Sequence, residues 1–278
     1  MSDLGMEQYL GLMTLGIAVG CYGTLIGAGG GFVLMPVLLL LYPDQNANLL
    51  TCISLAVVFF NALSGSGAYA LMKRIDYRSG SIFAAATIPG AILGALNTSY
   101  VPRRLFDFIF AVLLLAAAVF LVWRPNKTNI KQKSNPSIRH RVARRLVDAQ
   151  GTQYKYDFNW VLGMAISLIV GYVSSFLGIG GGIIHVPALS YFLNFPVHIA
   201  TATSHFILAI MALTGTIVHI LMGTFAHGVH RTIALAIGVI LGAQIGARLS
   251  DKVHGRLIIQ ALAIALGIVG IRILFLAW

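Results

Sequence analysis

Two short glycine runs are the first candidates for chemistry, because glycine can leave backbone amides free to bind a ligand. The runs are GAGGGFVLMP, from Gly27 to Pro36, and GIGGGIIHVP, from Gly178 to Pro187. Extended by the next two residues and shifted by 151 positions, they share six identities in twelve positions, where about one is expected by chance. The chain is therefore predicted to be a duplication, with one glycine-broken apolar segment in each half.

Glycines inside an apolar segment interrupt a helix, because each costs about 1 kcal/mol relative to alanine. The freed amides and the start of the next helix carry positive partial charge, which suits an anion. The same glycines could instead serve only for close packing or a sharp turn. The candidate substrate-binding glycines are Gly27, Gly29, Gly30, Gly31, Gly178, Gly180, Gly181 and Gly182, and Pro36 and Pro187 are interpreted as helix-break prolines.

Histidines within apolar segments are the next candidates, and all three lie in the second half: His185, His205 and His219. Their approximate counterparts in the first half are not histidines but Leu34, Ser54 and Tyr69. His185 could donate to an anion or take up a coupled proton, and His205 is a second candidate for proton coupling. Each histidine could instead simply bond to a neighbouring helix.

Hydroxyl side chains open the apolar span that follows each short segment, and they could line a polar pocket. They could equally bond to their own helix backbone. The candidates are Thr51 and Ser54 in the first half and Thr203 and Ser204 in the second, with Asn61, Ser64, Ser66 and Thr214 as weaker ones.

The composition predicts an integral membrane protein, since 58% of the residues are hydrophobic and only 10% are charged. The eight acidic residues fall in tails, loops or span ends, so no carboxylate is expected at the membrane midplane. The net charge of +11 is concentrated in loops, which indicates membrane orientation and argues against a nucleic-acid partner. No cofactor or resident metal is predicted. The acidic N-terminus lacks the basic region of a cleaved signal peptide, so the first span is expected to be retained.

Hydropathy predicts an all-α polytopic fold of two homologous repeats, with about 8–10 transmembrane or half-spanning helices. The segment that follows each glycine run is too short to span alone, because eleven helical residues cover only about 16 Å. It is therefore interpreted as part of a broken helix hairpin. The predicted segments are Tyr9–Ile26, Phe32–Tyr42, Asn46–Met72, Ser79–Asn97 and Leu105–Trp123, then Trp160–Leu177, Ile183–Leu193, Ile199–Met222, Thr232–Leu249 and Leu257–Phe275.

A basic linker over residues 124–158 separates an N-terminal repeat, residues 1–123, from a C-terminal repeat, residues 159–278. It holds nine of the nineteen Lys and Arg residues, so it is predicted to be cytoplasmic. Apolar residues at helical spacing, Ile138, Val142, Leu146 and Val147, suggest a short helix on the anionic inner leaflet. A solvated basic linker is the alternative.

The relative orientation of the halves depends on how many times each crosses the membrane. Five crossings per half give inverted repeats with about 15 of the 19 basic residues inside, whereas four give parallel repeats with about 14. Charge counting does not separate these alternatives. Inversion is favoured because duplicated broken helices that meet near the midplane are typical of alternating-access carriers.

The doubled glycine motifs, followed by T-A-T-S at Thr201–Ser204, resemble the TauE/SafE family of sulfite and organosulfonate exporters. The resemblance implies transport of a small sulfur-containing anion, such as sulfite or sulfoacetate, across the cytoplasmic (inner) membrane. The first half departs from it, with Thr51, Cys52, Ile53 and Ser54 in the place of T-A-T-S.

Three function classes are weighed from the residues themselves. The leading hypothesis is a secondary carrier of a small anion and not an enzyme, since no nucleotide-binding motif is present to power a pump. A divalent-metal transporter using the intramembrane histidines with His227 and His230 is the alternative, although carboxylate or thiolate partners are lacking nearby in sequence. A membrane-embedded metalloenzyme is the third. The oligomeric state is not predicted.

Overall fold

The computed structural model describes residues 5–123, 140–250 and 255–276. The first half folds as five helices: α1 Met6–Ile26, α2 Gly31–Leu41, α3 Ala47–Leu71, α4 Tyr77–Thr98 and α5 Arg103–Trp123. The second half repeats this order: α6 Trp160–Leu177, α7 Gly182–Tyr191, α8 Val197–Leu221, a short 3-10 helix Thr224–His227, α9 Val229–Leu249 and α10 Gly255–Leu276. The prediction of an all-α polytopic membrane protein is confirmed, and each predicted segment coincides with one helix to within three residues at either end.

Six of the described helices are long and apolar enough to cross a membrane: α1, α3, α4, α6, α8 and α9. The helices α2 and α7 are about half that length, as predicted for the segments that follow the glycine runs. Each begins directly after its glycine run, and most of its residues are buried.

Two helix pairs pack backbone against backbone: α1 with α9, and α6 with α4. A Cβ atom added at Gly90 would lie 2.8 Å from the Tyr172 nitrogen, and one at Gly94 would lie 2.9 Å from the Phe176 nitrogen. In the other pair, a Cβ at Gly242 would lie 2.8 Å from the Cys21 nitrogen. These small residues therefore permit the close approach of the two backbones in each pair.

The centre of the bundle is the pair α3 and α8, which run antiparallel. Gly65 of α3 faces His205, while Gly215 of α8 faces Leu55, so rising residue numbers in one helix meet falling numbers in the other. The two facing pairs match at an offset of 150, so the position equivalent to His205 in the first half is Leu55, and not Ser54, its approximate counterpart in the sequence comparison. Around this pair, α4 packs on α8 and α9 packs on α3.

The predicted helix in the linker is wrong over its described part, because Arg141–Val147 forms β1 and pairs antiparallel with β2, Gln153–Asn159. Val142 and Leu146 are four residues apart, which places them on one face of a helix and equally on one face of a strand. The partner strand decides between these alternatives, since its alternate residues Tyr154, Tyr156 and Phe158 are aromatic and pack inward. Ile138 lies outside the described residues.

This β-hairpin is fastened to the loop between α3 and α4. The Ala149 amide donates to the Met72 carbonyl at 3.0 Å, and Arg74 Nε lies 3.7 Å from Asp148 Oδ2. Phe158 of β2 packs against Phe83 of α4. The hairpin therefore packs where α3 ends and α4 begins.

Asp148 is the anchor of the hairpin, and its pKa lies below its ordinary value of 3.8. Burial alone would raise this pKa, but hydrogen bonds from the Thr152 and Gln150 amides outweigh that effect. The Tyr154 hydroxyl and the Arg74 charge lower it further. Because the folded pKa is depressed, the carboxylate stabilises the docked hairpin at neutral pH, and this contribution is lost as the pH falls through the folded pKa.

We expect Asp148→Asn to raise the hydrogen-exchange rate of residues 141–159 at neutral pH by roughly threefold to fivefold, because the ion pair to Arg74 is lost. In the unmodified protein, we compare the hydrogen-exchange rate of residues 141–159 with the intrinsic rate of an unfolded chain at the same pH. This ratio should stay constant down to mildly acidic pH and should rise only below the ordinary pKa of aspartate. Asp157→Asn is the control, since its bridge to Arg141 is more exposed. Equal exchange in both variants would contradict the anchoring role.

Candidate functional site

Both glycine runs are helix breaks, as predicted. Gly27 ends α1 and Gly178 ends α6, each in the left-handed region at φ 84° and φ 69°. Gly30 and Gly181 then precede α2 and α7 with φ 78° and φ 68°. These positive φ values are ones that side-chain-bearing residues rarely adopt, so the chain can turn here only because of glycine.

Pro36 and Pro187 do not break helices, which corrects the prediction. Pro36 lies inside α2 and Pro187 inside α7, each five residues after the first residue of its helix. A proline within a helix lacks the amide that would bond to the carbonyl four residues earlier, so it frees the carbonyls of Phe32 and Ile183 without ending the helix. The break itself belongs to the glycines.

The two breaks meet in the buried centre of the protein. A Cβ atom added at Gly31 would lie 2.7 Å from the Ile179 carbonyl oxygen, and one at Gly182 would lie 2.6 Å from the Gly27 carbonyl oxygen. Each break thus packs directly on the backbone of the other. These glycines therefore allow the two breaks to pack closely against each other.

The start of α2 presents amides that the helix itself cannot satisfy. Val33 and Leu34 donate to the Gly30 carbonyl, which is where the hydrogen bonds of α2 begin. The amides of Gly31 and Phe32 come earlier, so helix geometry gives them no acceptor within α2. At the start of α7, Ile184 and His185 likewise donate to the Gly181 carbonyl, but the first amide, that of Gly182, donates to the Gly180 carbonyl at 2.9 Å.

The predicted hydroxyls are buried around the breaks, and they do not form one pocket. Ser54 donates to the Gly178 carbonyl at 2.5 Å, so it fastens α3 to the end of α6. Thr203 accepts from the Asp76 amide at 3.1 Å, beside the hairpin. Thr51 and Ser204 are buried with hydroxyls that have no partner among the described residues.

The three intramembrane histidines have different surroundings. His185 Nε2 lies 3.1 Å from the Ser167 hydroxyl of α6, which is the neighbouring-helix bond that the sequence left as an alternative. His205 Nε2 lies 3.3 Å from the Thr24 hydroxyl of α1. His219 is fully buried, and neither of its ring nitrogens has a hydrogen-bond partner within the described parts of the chain.

A polar cluster that sequence reasoning missed lies beside the first break. Thr24 of α1 donates to Asn61 Oδ1 of α3 at 3.0 Å, and the Tyr69 hydroxyl donates to the Thr24 carbonyl at 2.9 Å. Thr24 and Tyr69 were not considered as site residues, and Asn61 was only a weak candidate. A signal was present, since Thr24 and Ser175 both stand three residues before the first glycine of a run.

Comparison with known proteins places the chain in a family. The family model described as "Sulfite exporter TauE/SafE" matches residues 12–273. The chain belongs to the TauE/SafE family. It is 31% identical to "Probable membrane transporter protein YunE" of Bacillus subtilis over 95% of this chain and 96% of that one. It is also 23% identical to "Probable membrane transporter protein MJ0441" of Methanocaldococcus jannaschii, over 95% and 94% of the two chains. No solved structure matches.

This TauE/SafE protein is therefore a multi-pass membrane transporter. Within residues 5–123, 140–250 and 255–276, no group of three or more His, Cys, Asp or Glu side chains is arranged to hold a metal ion. His230 instead bonds through Nδ1 to the Tyr9 hydroxyl at 3.1 Å. The side chain of His227 lies outside the described residues.

Proposed function

We propose that the chain is a secondary transporter that exports a small sulfur-containing anion, such as sulfite, sulfoacetate or a related organosulfonate, by alternating access around the two glycine breaks. The observation that carries this proposal is the meeting of two broken helices in the buried centre of the bundle. Unwound backbone is costly inside a membrane unless it serves a cavity or a ligand. Broken helices near the midplane are how many carriers build that ligand site.

An anion fits this region better than a cation does. The starts of α2 and α7 direct positive partial charge toward the breaks. The four helices nearest the breaks, α2, α3, α7 and α8, contain no Asp or Glu. A cation would find no carboxylate on these helices. The C-termini of α1 and α6 also lie at the breaks, but the Gly23 carbonyl already accepts from the Ala28 and Gly29 amides, and the Gly178 carbonyl accepts from Ser54. An anion instead finds amide donors at the starts of α2 and α7.

Inverted repeats follow from the packing of α3 and α8 within this proposal. These helices occupy equivalent positions in the two halves and run antiparallel. The facing pair Gly65 and His205 corresponds, with an offset of 150, to the facing pair Gly215 and Leu55. A twofold axis in the membrane plane relates such pairs and inverts one repeat, residues 1–123, relative to the other, residues 159–278.

The β-hairpin faces the cytoplasm in this arrangement, and the protein lies in the cytoplasmic (inner) membrane. The hairpin carries Arg141, Arg144 and Arg145 and is fastened beside Lys73 and Arg74, so basic residues cluster at one membrane face. Positive charge of this kind is retained on the cytoplasmic side and is attracted to anionic inner-leaflet lipids.

Proton coupling through His205 or His185 is the next expectation. We expect His205→Gln to keep sulfite counterflow, which needs no driving force, and to lose most uptake driven by a proton gradient, since glutamine keeps a donor but cannot titrate. His185→Gln is tested in parallel and His219→Gln serves as the control. Both activities are measured in proteoliposomes. Gradient-driven uptake that is normal in both the His205 and His185 variants would contradict histidine coupling.

The proposed function itself is tested by counterflow of labelled sulfite into proteoliposomes preloaded with unlabelled sulfite. We expect accumulation that a sulfonate inhibits and a divalent metal ion does not. Inhibition by nickel or zinc and not by the sulfonate would overturn the anion proposal in favour of metal transport.

A further inference from the structure

Asn61 is a fully buried amide that lies against the first helix break. Its Oδ1 accepts the Thr24 hydroxyl proton at 3.0 Å, while its Nδ2 has no partner within the described residues. A Cβ atom added at Gly30, the residue that precedes α2, would lie 3.4 Å from Nδ2. The free NH2 group of Asn61 is therefore next to the start of α2.

A chain of hydrogen bonds fixes this orientation of the amide. Thr24 donates its hydroxyl proton to Asn61 Oδ1, and in the His205 tautomer protonated at Nε2 the Thr24 oxygen accepts from that nitrogen, 3.3 Å away. If the Asn61 amide were rotated by half a turn, its NH2 group would face the Thr24 hydroxyl proton, and two donors would oppose each other. His205 and Thr24 thus hold the NH2 group of Asn61 toward Gly30.

Glycine and tyrosine hold this chain of hydrogen bonds in place. Gly65 leaves room for the imidazole, because a Cβ atom there would lie 2.6 Å from His205 Cδ2. The Tyr69 hydroxyl fastens the last turn of α1 by donating to the Thr24 carbonyl. The edge of the His205 ring packs against Tyr69, with 5.5 Å between the ring centroids.

Apart from the Val19 carbonyl oxygen, which would lie 2.9 Å from a Cβ atom at Gly30, the polar groups beside Gly30 are donors. The Asn61 NH2 group has no partner among the described residues, and helix geometry gives the amides of Gly31 and Phe32 no acceptor within α2. A buried donor without a partner costs about 1–3 kcal/mol. An anionic acceptor would remove this cost and would gain from the helix dipole.

We propose that the first break holds a binding site for one small, singly charged oxyanion, such as a sulfonate or hydrogen sulfite, formed by Asn61 Nδ2 and the first amides of α2. Transport of that ion rests on the proposed function, but its binding does not. We expect the bound ion to carry a single charge because all the donors are neutral. Desolvating a dianion without a cationic side chain beside it would cost far more than desolvating a monoanion.

The second break lacks this donor set, so the site is asymmetric despite the duplication. At the same offset of 150, Met211 takes the place of Asn61, and Leu55 takes the place of His205. Ser174 lies beside Gly181, but a serine hydroxyl can turn to the carbonyl four residues earlier in its own helix. The structure thus assigns one ion per chain.

The test is equilibrium dialysis of the purified full-length protein with radiolabelled sulfite at mildly acidic pH, with methanesulfonate and sulfate as competitors. We expect one site per chain, competition by methanesulfonate and little by sulfate. Asn61→Leu should weaken binding about tenfold to hundredfold, since a hydrogen bond to a charged group is lost. Met211→Leu, at the matching position of the second half, should bind normally.

A second pair of variants separates loss of the site from loss of folding. Thr24→Val removes the hydroxyl that orients Asn61 and should weaken binding, while Thr24→Ser keeps the hydroxyl and should restore it, with equal thermal unfolding temperatures. Normal binding in Asn61→Leu, two ions per chain, or no sulfite binding at all would overturn the inference. Normal binding without counterflow would leave the site standing and overturn the proposed function instead.

Discussion

Gly182→Leu is expected to insert into the membrane and to lose all sulfite counterflow. Gly182 is the first residue of α7, and a Cβ atom there would lie 2.6 Å from the Gly27 carbonyl oxygen and closer still to Ala28. The obstacle is the backbone of the other break, which cannot turn aside as a flexible side chain could. A leucine would therefore push the two breaks apart and displace the start of α7.

The control for this variant is Gly67→Leu in α3, because no atom lies within 4 Å of a Cβ added at Gly67. Gly67→Leu should keep counterflow and membrane insertion. Gly181→Leu should also lose transport, since Gly181 has φ 68° and its added Cβ would meet Ser174. Full flux through Gly182→Leu in correctly inserted protein would show that close contact between the breaks is not needed for transport.

Gly90→Leu is expected to destabilise the protein as a whole. The α4 and α6 backbones touch at Gly90, where an added Cβ would lie 2.8 Å from the Tyr172 nitrogen and would also meet the Leu168 carbonyl. Overpacking of this kind costs about 1–3 kcal/mol, and here a whole leucine side chain must be placed between two backbones. We therefore expect a clear fall in the thermal unfolding temperature in detergent.

Gly11→Leu is the matched control, because Gly11 of α1 has open space around its Cβ position. It should unfold at the same temperature as the unmodified protein. A Gly90→Leu protein as stable as Gly11→Leu would contradict the packing described for α4 and α6.

The helices could be predicted closely from the sequence because their limits depend on local chemistry. Apolar runs of membrane length set the spans, and glycines at Gly27 and Gly178 end α1 and α6 wherever the rest of the chain lies. The prediction that Pro36 and Pro187 break helices was wrong, and the reason is also local. Proline weakens a helix but does not end one that neighbouring helices enclose, as Pro36 in α2 illustrates.

The hairpin and the polar cluster depend on tertiary partners, which the sequence does not display. Val142 and Leu146 fit a helix and a strand equally well, and only pairing with Gln153–Asn159 selects the strand. The first-break site joins Thr24, Asn61 and His205 from three helices, up to 181 positions apart. The glycines located the two helix breaks in the sequence, whereas the Asn61 donor beside the first break could be found only from the packing of α1, α3 and α8.

The binding of an anion at the first break is tested most directly by a crystal structure of the protein soaked in selenite, whose selenium atom has an anomalous signal that sulfite lacks. We expect one anomalous peak per chain beyond any from the protein's own sulfur atoms, within hydrogen-bonding distance of Asn61 Nδ2 and the amides of Gly31 and Phe32. A peak at the start of α7, or one outside the helix breaks altogether, would contradict the account.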